Sequence, residues 1–145
     1  MHSLLSIFQH RTDLILRGQI DEAVAGYVIP FWSRFRGTFY QITNAQDLWE
    51  ALSRQNLSQK ARGILGVAGE LEDVAALPRG AQQVTVHWTE TCDMRAGDTA
   101  RWYRTVYVCR TEDQTLKTIG LTVTETRAVP LPPLPKVFPP PCADW

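Results

Sequence analysis

His87, Glu90 and Arg104 are the side chains in the central part of this sequence best suited to chemistry. A histidine is the usual acid–base group near neutral pH. A glutamate taken out of water has a raised pKa and could serve the same purpose, with an arginine beside it to stabilise developing negative charge. His87 lies in VTVHWTE, residues 84–90, which reads as a β-strand. Side chains alternate along a strand, so Val84, Val86 and Trp88 share one face and Thr85, His87 and Thr89 the other. The apolar triplet must meet the core, which turns His87 outward. The same parity aims Glu90 inward, towards the mouth of the sheet's concave side. The plainer reading of Glu90, and the preferred one, is a strand that has already left the core and a carboxylate in water.

Arg104 belongs to the next strand, ARWYRTVYVCR. A three-residue hairpin loop with Gly97 left-handed would set Trp88 opposite Arg104 and turn Trp102, Arg104, Val106 and Val108 inward. A two-residue loop would turn Tyr103, Thr105, Tyr107 and Cys109 inward instead. The sequence leaves both registers open. In either, the strand is bulky on both faces, and helices can cover only one. The other is expected to pack on a second copy, giving a homodimer through the outer sheet face with His87 at or near the interface.

The elements that must position these residues follow from periodicity. Leu4, Leu5, Phe8, Ile15 and Leu16 predict a first helix that stops at Gly18. QIDEAVAGYVIP predicts a second, with Ile20, Ala23, Val24 and Tyr27 on its apolar face and Pro30 ending it. FWSRFRGTFYQI reads as extended chain turning at Gly37. Thr43 and Gln46 have capping-box spacing for a third helix, with Leu48, Trp49 and Leu52 as its stripe and a stop near Gly63. Strands follow from ILGVAGELEDVAAL through TLKTIGLTVTE, with turns at Pro78-Arg79-Gly80 and TEDQ. The tail AVPLPPLPKVFPPPCADW holds seven of the nine prolines and predicts a stiff arm lying over the domain or a partner subunit. The expected division is one domain over residues 1–127 and a proline-rich arm over 128–145.

Fifteen basic residues balance fifteen acidic ones, which argues against nucleic acid, since phosphate binding needs a basic surface. No apolar run approaches the ~20 residues that cross a bilayer, and His10, Arg11 and Asp13 interrupt any signal-peptide core. Cys92, Cys109 and Cys142 have no metal-binding spacing. A cytoplasmic protein with no metal and no cofactor is expected.

Three helices followed by a strongly curved antiparallel sheet make an α+β arrangement. The pattern resembles the nuclear transport factor 2-like superfamily, also called the SnoaL-like or cystatin-like α+β cone. RGQIDEAVAGYVIP would supply paired helices and ITNAQDLWEAL the capped third helix. VTVHWTETCDMRAGDTARWYRTVYVCR would be the central hairpin and TLKTIGLTV the closing strand. The resemblance implies helices closing over the sheet around a conical, mostly apolar cavity, and dimers through the outer sheet face. Ketosteroid isomerases, polyketide cyclases, dehydratases and non-catalytic binding modules share this fold. The aspartate base and tyrosine–acid pair of the isomerases has no residue-by-residue match here, and the dehydratases' His–Asp pair would need a cavity histidine where His87 faces out. Tyr27, Phe31, Trp32, Trp49 and Trp88 could line such a cavity with Glu90 and Arg104, and this aromatic set suits a flat apolar ligand. A small-molecule-binding domain is therefore expected. A cyclase- or isomerase-type enzyme using Glu90 and Arg104, or a dimeric scaffold, are the alternatives.

Overall fold

The computed structural model describes residues 3–35, 37–92 and 101–128, the side chains of 125–128 excepted. Helix α1 (Leu4–Leu16) opens where Ser3 accepts a hydrogen bond from the Ser6 N–H at 3.2 Å and ends at Gly18, whose φ of 81° suits only glycine readily. Helix α2 (Ile20–Val24) is shorter than expected. Tyr27 and Pro30 lie instead in strand β1 (Tyr27–Phe35). Gly26 interrupts the helix, and its carbonyl accepts the Thr118 N–H at 2.8 Å, which draws the chain into the sheet. Pro30 follows a cis peptide and falls where the strand's register shifts, a place that needs no ladder donor.

Strand β2 (Thr38–Ile42) returns from the turn at Gly37. Helix α3 (Ala45–Ala61) is capped by Asn44, which accepts the Asp47 N–H at 2.9 Å and donates to the Asp47 carboxylate. The cap therefore lies one residue beyond the expected Thr43–Gln46 pair, because asparagine caps at least as well as threonine and Asp47 adds charge at the positive helix end. Strands β3 (Ile64–Ala76), β4 (Gln82–Cys92), β5 (Arg101–Glu112) and β6 (Thr115–Ala128) complete an α+β fold.

The sheet is curved and open, in the order β2-β1-β6-β5-β4-β3. Its neighbours run antiparallel, as expected, except β1 and β6, which are parallel. The β4–β5 loop, with Gly97, lies outside the described residues, as does the arm over 129–145. The register across that loop is nevertheless fixed: Trp88 pairs with Tyr103 and His87 with Arg104. Tyr103, Thr105, Tyr107 and Cys109 are the inward set.

Val84, Val86 and Trp88 face the helices and are at most 1% exposed. Burial of each is worth roughly 1.5–3 kcal/mol. His87 is on the opposite face, its ring centroid 4.8 Å from that of Trp102. Trp88 needs its own space: it lies flush on Gly69, where a Cβ would come within 2.6 Å of the indole. Two side chains lock the helices over the sheet. Asn56 donates to the carbonyls of Ile15 and Leu16, tying α3 to the end of α1. Gln9 bonds the Val67 carbonyl and the Gly69 N–H, fastening α1 to edge strand β3. The core divides into a cluster around Phe8, Trp88 and Tyr107 and another around Ile15, Phe31 and Leu48.

Candidate functional site

The two core clusters do not close completely against each other. Between them lies a cavity of about 70 Å³. Phe8, Trp88, Tyr103 and Tyr107 wall it from one cluster, and Ile15, Phe31, Leu48 and Leu52 from the other. Their placement is a matter of parity: Phe31 and Ser33 alternate inward along β1, as Tyr103, Thr105 and Tyr107 do along β5. Tyr107 stacks on Phe8 with 4.4 Å between centroids and accepts the Trp88 Nε1–H at 3.1 Å. Tyr27 meets Phe31 edge-on at 5.0 Å.

Burial raises the pKa of Tyr103 and of Tyr107, with Glu90 adding to the first and Tyr27 to the second. Both hydroxyls stay protonated at neutral pH and can offer hydrogen bonds. Among the described residues lining the cavity there is no carboxylate, imidazole or thiol.

Of the candidates read from the sequence, Tyr27, Phe31 and Trp88 line this space. Trp32 projects from the outer face, flat against Gly120, and stacks on Phe39 with centroids 6.2 Å apart. Trp49 is 40% exposed on α3 and donates to Asp21 at 2.8 Å. Arg104 lies on the outer face, where its Nε donates to Glu72 at 2.8 Å. Such an exposed pair is worth little.

Glu90 is inward and 3% exposed, so the preferred reading of a solvated carboxylate is overturned. Its oxygens accept from Arg62 at 2.9 and 3.0 Å and from the Arg101 Nε at 3.2 Å. Burial lowers the Arg101 pKa, and Glu90 opposes that shift. This cluster is a buried ionic staple outside the cavity wall.

Arg11 was not among the candidates, yet it lines the cavity and is only 7% exposed. Its position could have revealed it, since Leu4, Phe8, Arg11 and Ile15 follow helical spacing on one face of α1. Its guanidinium carbon lies 5.4 Å from the Phe8 ring centroid and 5.1 Å from that of Tyr27. One nitrogen donates to Thr118 Oγ1.

Solved structures with the same architecture include an NTF-2 like protein of unknown function from Shewanella oneidensis. It is 14% identical, with a TM-score of 0.65 over 84% of this chain and 96% of that one. The fold is that of the nuclear transport factor 2-like proteins. A second similar structure is a cystatin-like domain of unknown function from Nostoc punctiforme, 16% identical with a TM-score of 0.62, covering 86% of this chain and 78% of that one. A third is a ketosteroid isomerase-like protein from Erwinia carotovora atroseptica, 16% identical with a TM-score of 0.60, covering 88% of this chain and 99% of that one. No family profile and no curated protein matches the sequence. At these identities the nuclear transport factor 2-like likeness establishes the fold alone. No helix among the described residues is long and apolar enough to cross a membrane.

Proposed function

We propose that this protein binds a small apolar or aromatic molecule inside the cone, with Tyr27, Phe31 and Trp88 among the contacts. The observation that carries the reading is the cavity in the seam of the core, walled by aromatic rings from both clusters. A core shaped for stability alone would fill it: at roughly 24 cal/mol per Å³, an open 70 Å³ forgoes about 2 kcal/mol. The likeness to a ketosteroid isomerase-like protein supports the reading only at the level of a fold that often binds small molecules. Binding without chemistry is favoured over the cyclase or isomerase alternative, because the described cavity wall carries no group that exchanges protons near neutral pH. Glu90 and Arg104, the pair on which such an enzyme would depend, are held in ion pairs elsewhere.

The outer sheet face supports self-association. Trp32, Trp102, Val106 and Val108 are only partly buried there, and Phe39 is 53% exposed. A twofold pairing of that face in the cytoplasm is the proposed assembly. Native mass spectrometry of freshly purified protein, followed by denaturation and a search for released small molecules, tests both proposals. A dimer carrying a stoichiometric apolar compound is the expected result. A monomer would remove the dimer proposal. Protein that arrives empty and takes up no compound from an apolar and aromatic set would remove the binding one.

A further inference from the structure

Arg11 carries the one charge in the described cavity wall, and its surroundings do not neutralise it. Among the described residues the ion pairs are Arg62–Glu90, Arg101–Glu90, Arg104–Glu72 and Arg110–Glu112, and none includes Arg11. A guanidinium presents five N–H donors and is always charged. Here a hydrogen bond to Thr118 and the faces of Phe8 and Tyr27 are its partners among the described residues. None of these supplies a negative charge. The nearby Cys109 thiol, 3.9 Å from Thr118 Oγ1, has its pKa raised by burial and is no counter-ion at neutral pH.

A buried arginine without an acidic partner is costly, because nothing repays the desolvation of its charge, and an anionic ligand would repay it. The backbone makes room for it as well. Gly26 is where a Cβ would lie 2.4 Å from the Arg11 Nε, so any larger residue there would displace the guanidinium.

We infer that the ligand of this cavity is a small monocarboxylate whose carboxyl group pairs with Arg11 and whose apolar or aromatic body lies against Phe31, Leu48 and Trp88. The inference rests on the binding function proposed above and gives it a substrate class. A planar carboxylate matches the guanidinium fork. A phosphate ester would bring more charge than one arginine can neutralise into a small, mostly apolar space.

The test is calorimetric titration of the full chain and of Arg11→Met with benzoate and butyrate, beside the neutral benzyl alcohol and butanol. Methionine keeps the unbranched stem as far as the Nε position and removes an unpaired buried charge, so the variant should melt no lower than the parent. The parent should prefer each acid to its alcohol. Arg11→Met should lose roughly 10- to 100-fold in affinity for the acids, the worth of a charged hydrogen-bonded contact, and keep its affinity for the alcohols. Arg11→Lys should fall between, because it keeps the charge and loses the fork. Equal binding of the acids by parent and Arg11→Met would overturn the inference, as would a parent that binds only the alcohols; in both cases the ligand cavity would survive. A marked drop in melting temperature for Arg11→Met would also overturn it, by showing that the charge has a structural partner. Failure of the parent to bind any of the four would count against the binding function itself.

Discussion

Replacing Glu90 by glutamine tests whether the buried cluster is a staple or a reaction centre. The substitution keeps the shape and one acceptor oxygen but removes the only carboxylate between Arg62 and Arg101 in the described structure. Glu90's side chain is 1% exposed and that of Arg62 18%, so water can stabilise one guanidinium in part and the carboxylate hardly at all. Breaking a buried ion pair from one side costs about 3–5 kcal/mol, and the partial exposure of Arg62 places this case near 3 kcal/mol. For a domain of this length that corresponds to a fall of about 10 °C in melting temperature. Circular dichroism melts and urea titrations of Glu90→Gln measure both. The double variant Arg62→Met/Glu90→Gln should recover part of the loss, since it removes a charge together with its partner. Ligand binding measured well below the melting point should be unchanged. A loss under about 1 kcal/mol would refute the staple, because a carboxylate worth so little is one that water already reaches.

Gly26→Ala should push the Arg11 side chain from its place and weaken carboxylate binding at least several-fold with alcohol binding kept, as titration calorimetry would show; unaltered acid affinity would mean that Arg11 is free to relocate. Gly69→Ala sets a methyl 2.6 Å from the Trp88 ring, which its bond to Tyr107 holds still, and should cost roughly 1–3 kcal/mol in a urea titration. The buried tyrosines make alkaline stability a further test. Tyr103 and Tyr107 have raised pKa values when folded, so the unfolded chain releases their protons first, from its ordinary value of 10.0 upward. Stability should be level below that point and fall as pH rises above it, with Tyr103 and Tyr107 ionising only as the protein unfolds. An ultraviolet titration in which these two ionise before unfolding would contradict their burial.

What could be read from the sequence divides along physical lines. The inward parity of Val84, Val86 and Trp88 was legible because alternation on β4 is clean and only one face of the sheet meets helices. The parity of β5 was not, because Trp102, Val106 and Val108 are as apolar as Tyr103, Tyr107 and Cys109, and register then depends on loop geometry. Trp32 and Trp49 show that an aromatic side chain does not announce its direction: one is drawn outward by the bare backbone of Gly120, the other tied to Asp21 on the surface. Glu90 misled for a different reason. A lone carboxylate belongs in water, and the partners that keep this one inside come 28 residues before it and 11 after, from other elements.

The cavity itself had a signature that residue type concealed. Arg11 on the apolar face of α1, Ser33 between Phe31 and Phe35, and Thr105 between Tyr103 and Tyr107 are polar residues at positions whose period belongs to the core. Each breaks the pattern singly and reads as noise. All three line one space because α1 crosses the concave face where β1 and β5 both turn those positions inward. A core built only for cohesion gains little from a guanidinium on its apolar face. That charge, set in the same wall as the aromatic rings, is what argues for a ligand with a polar head and an apolar body.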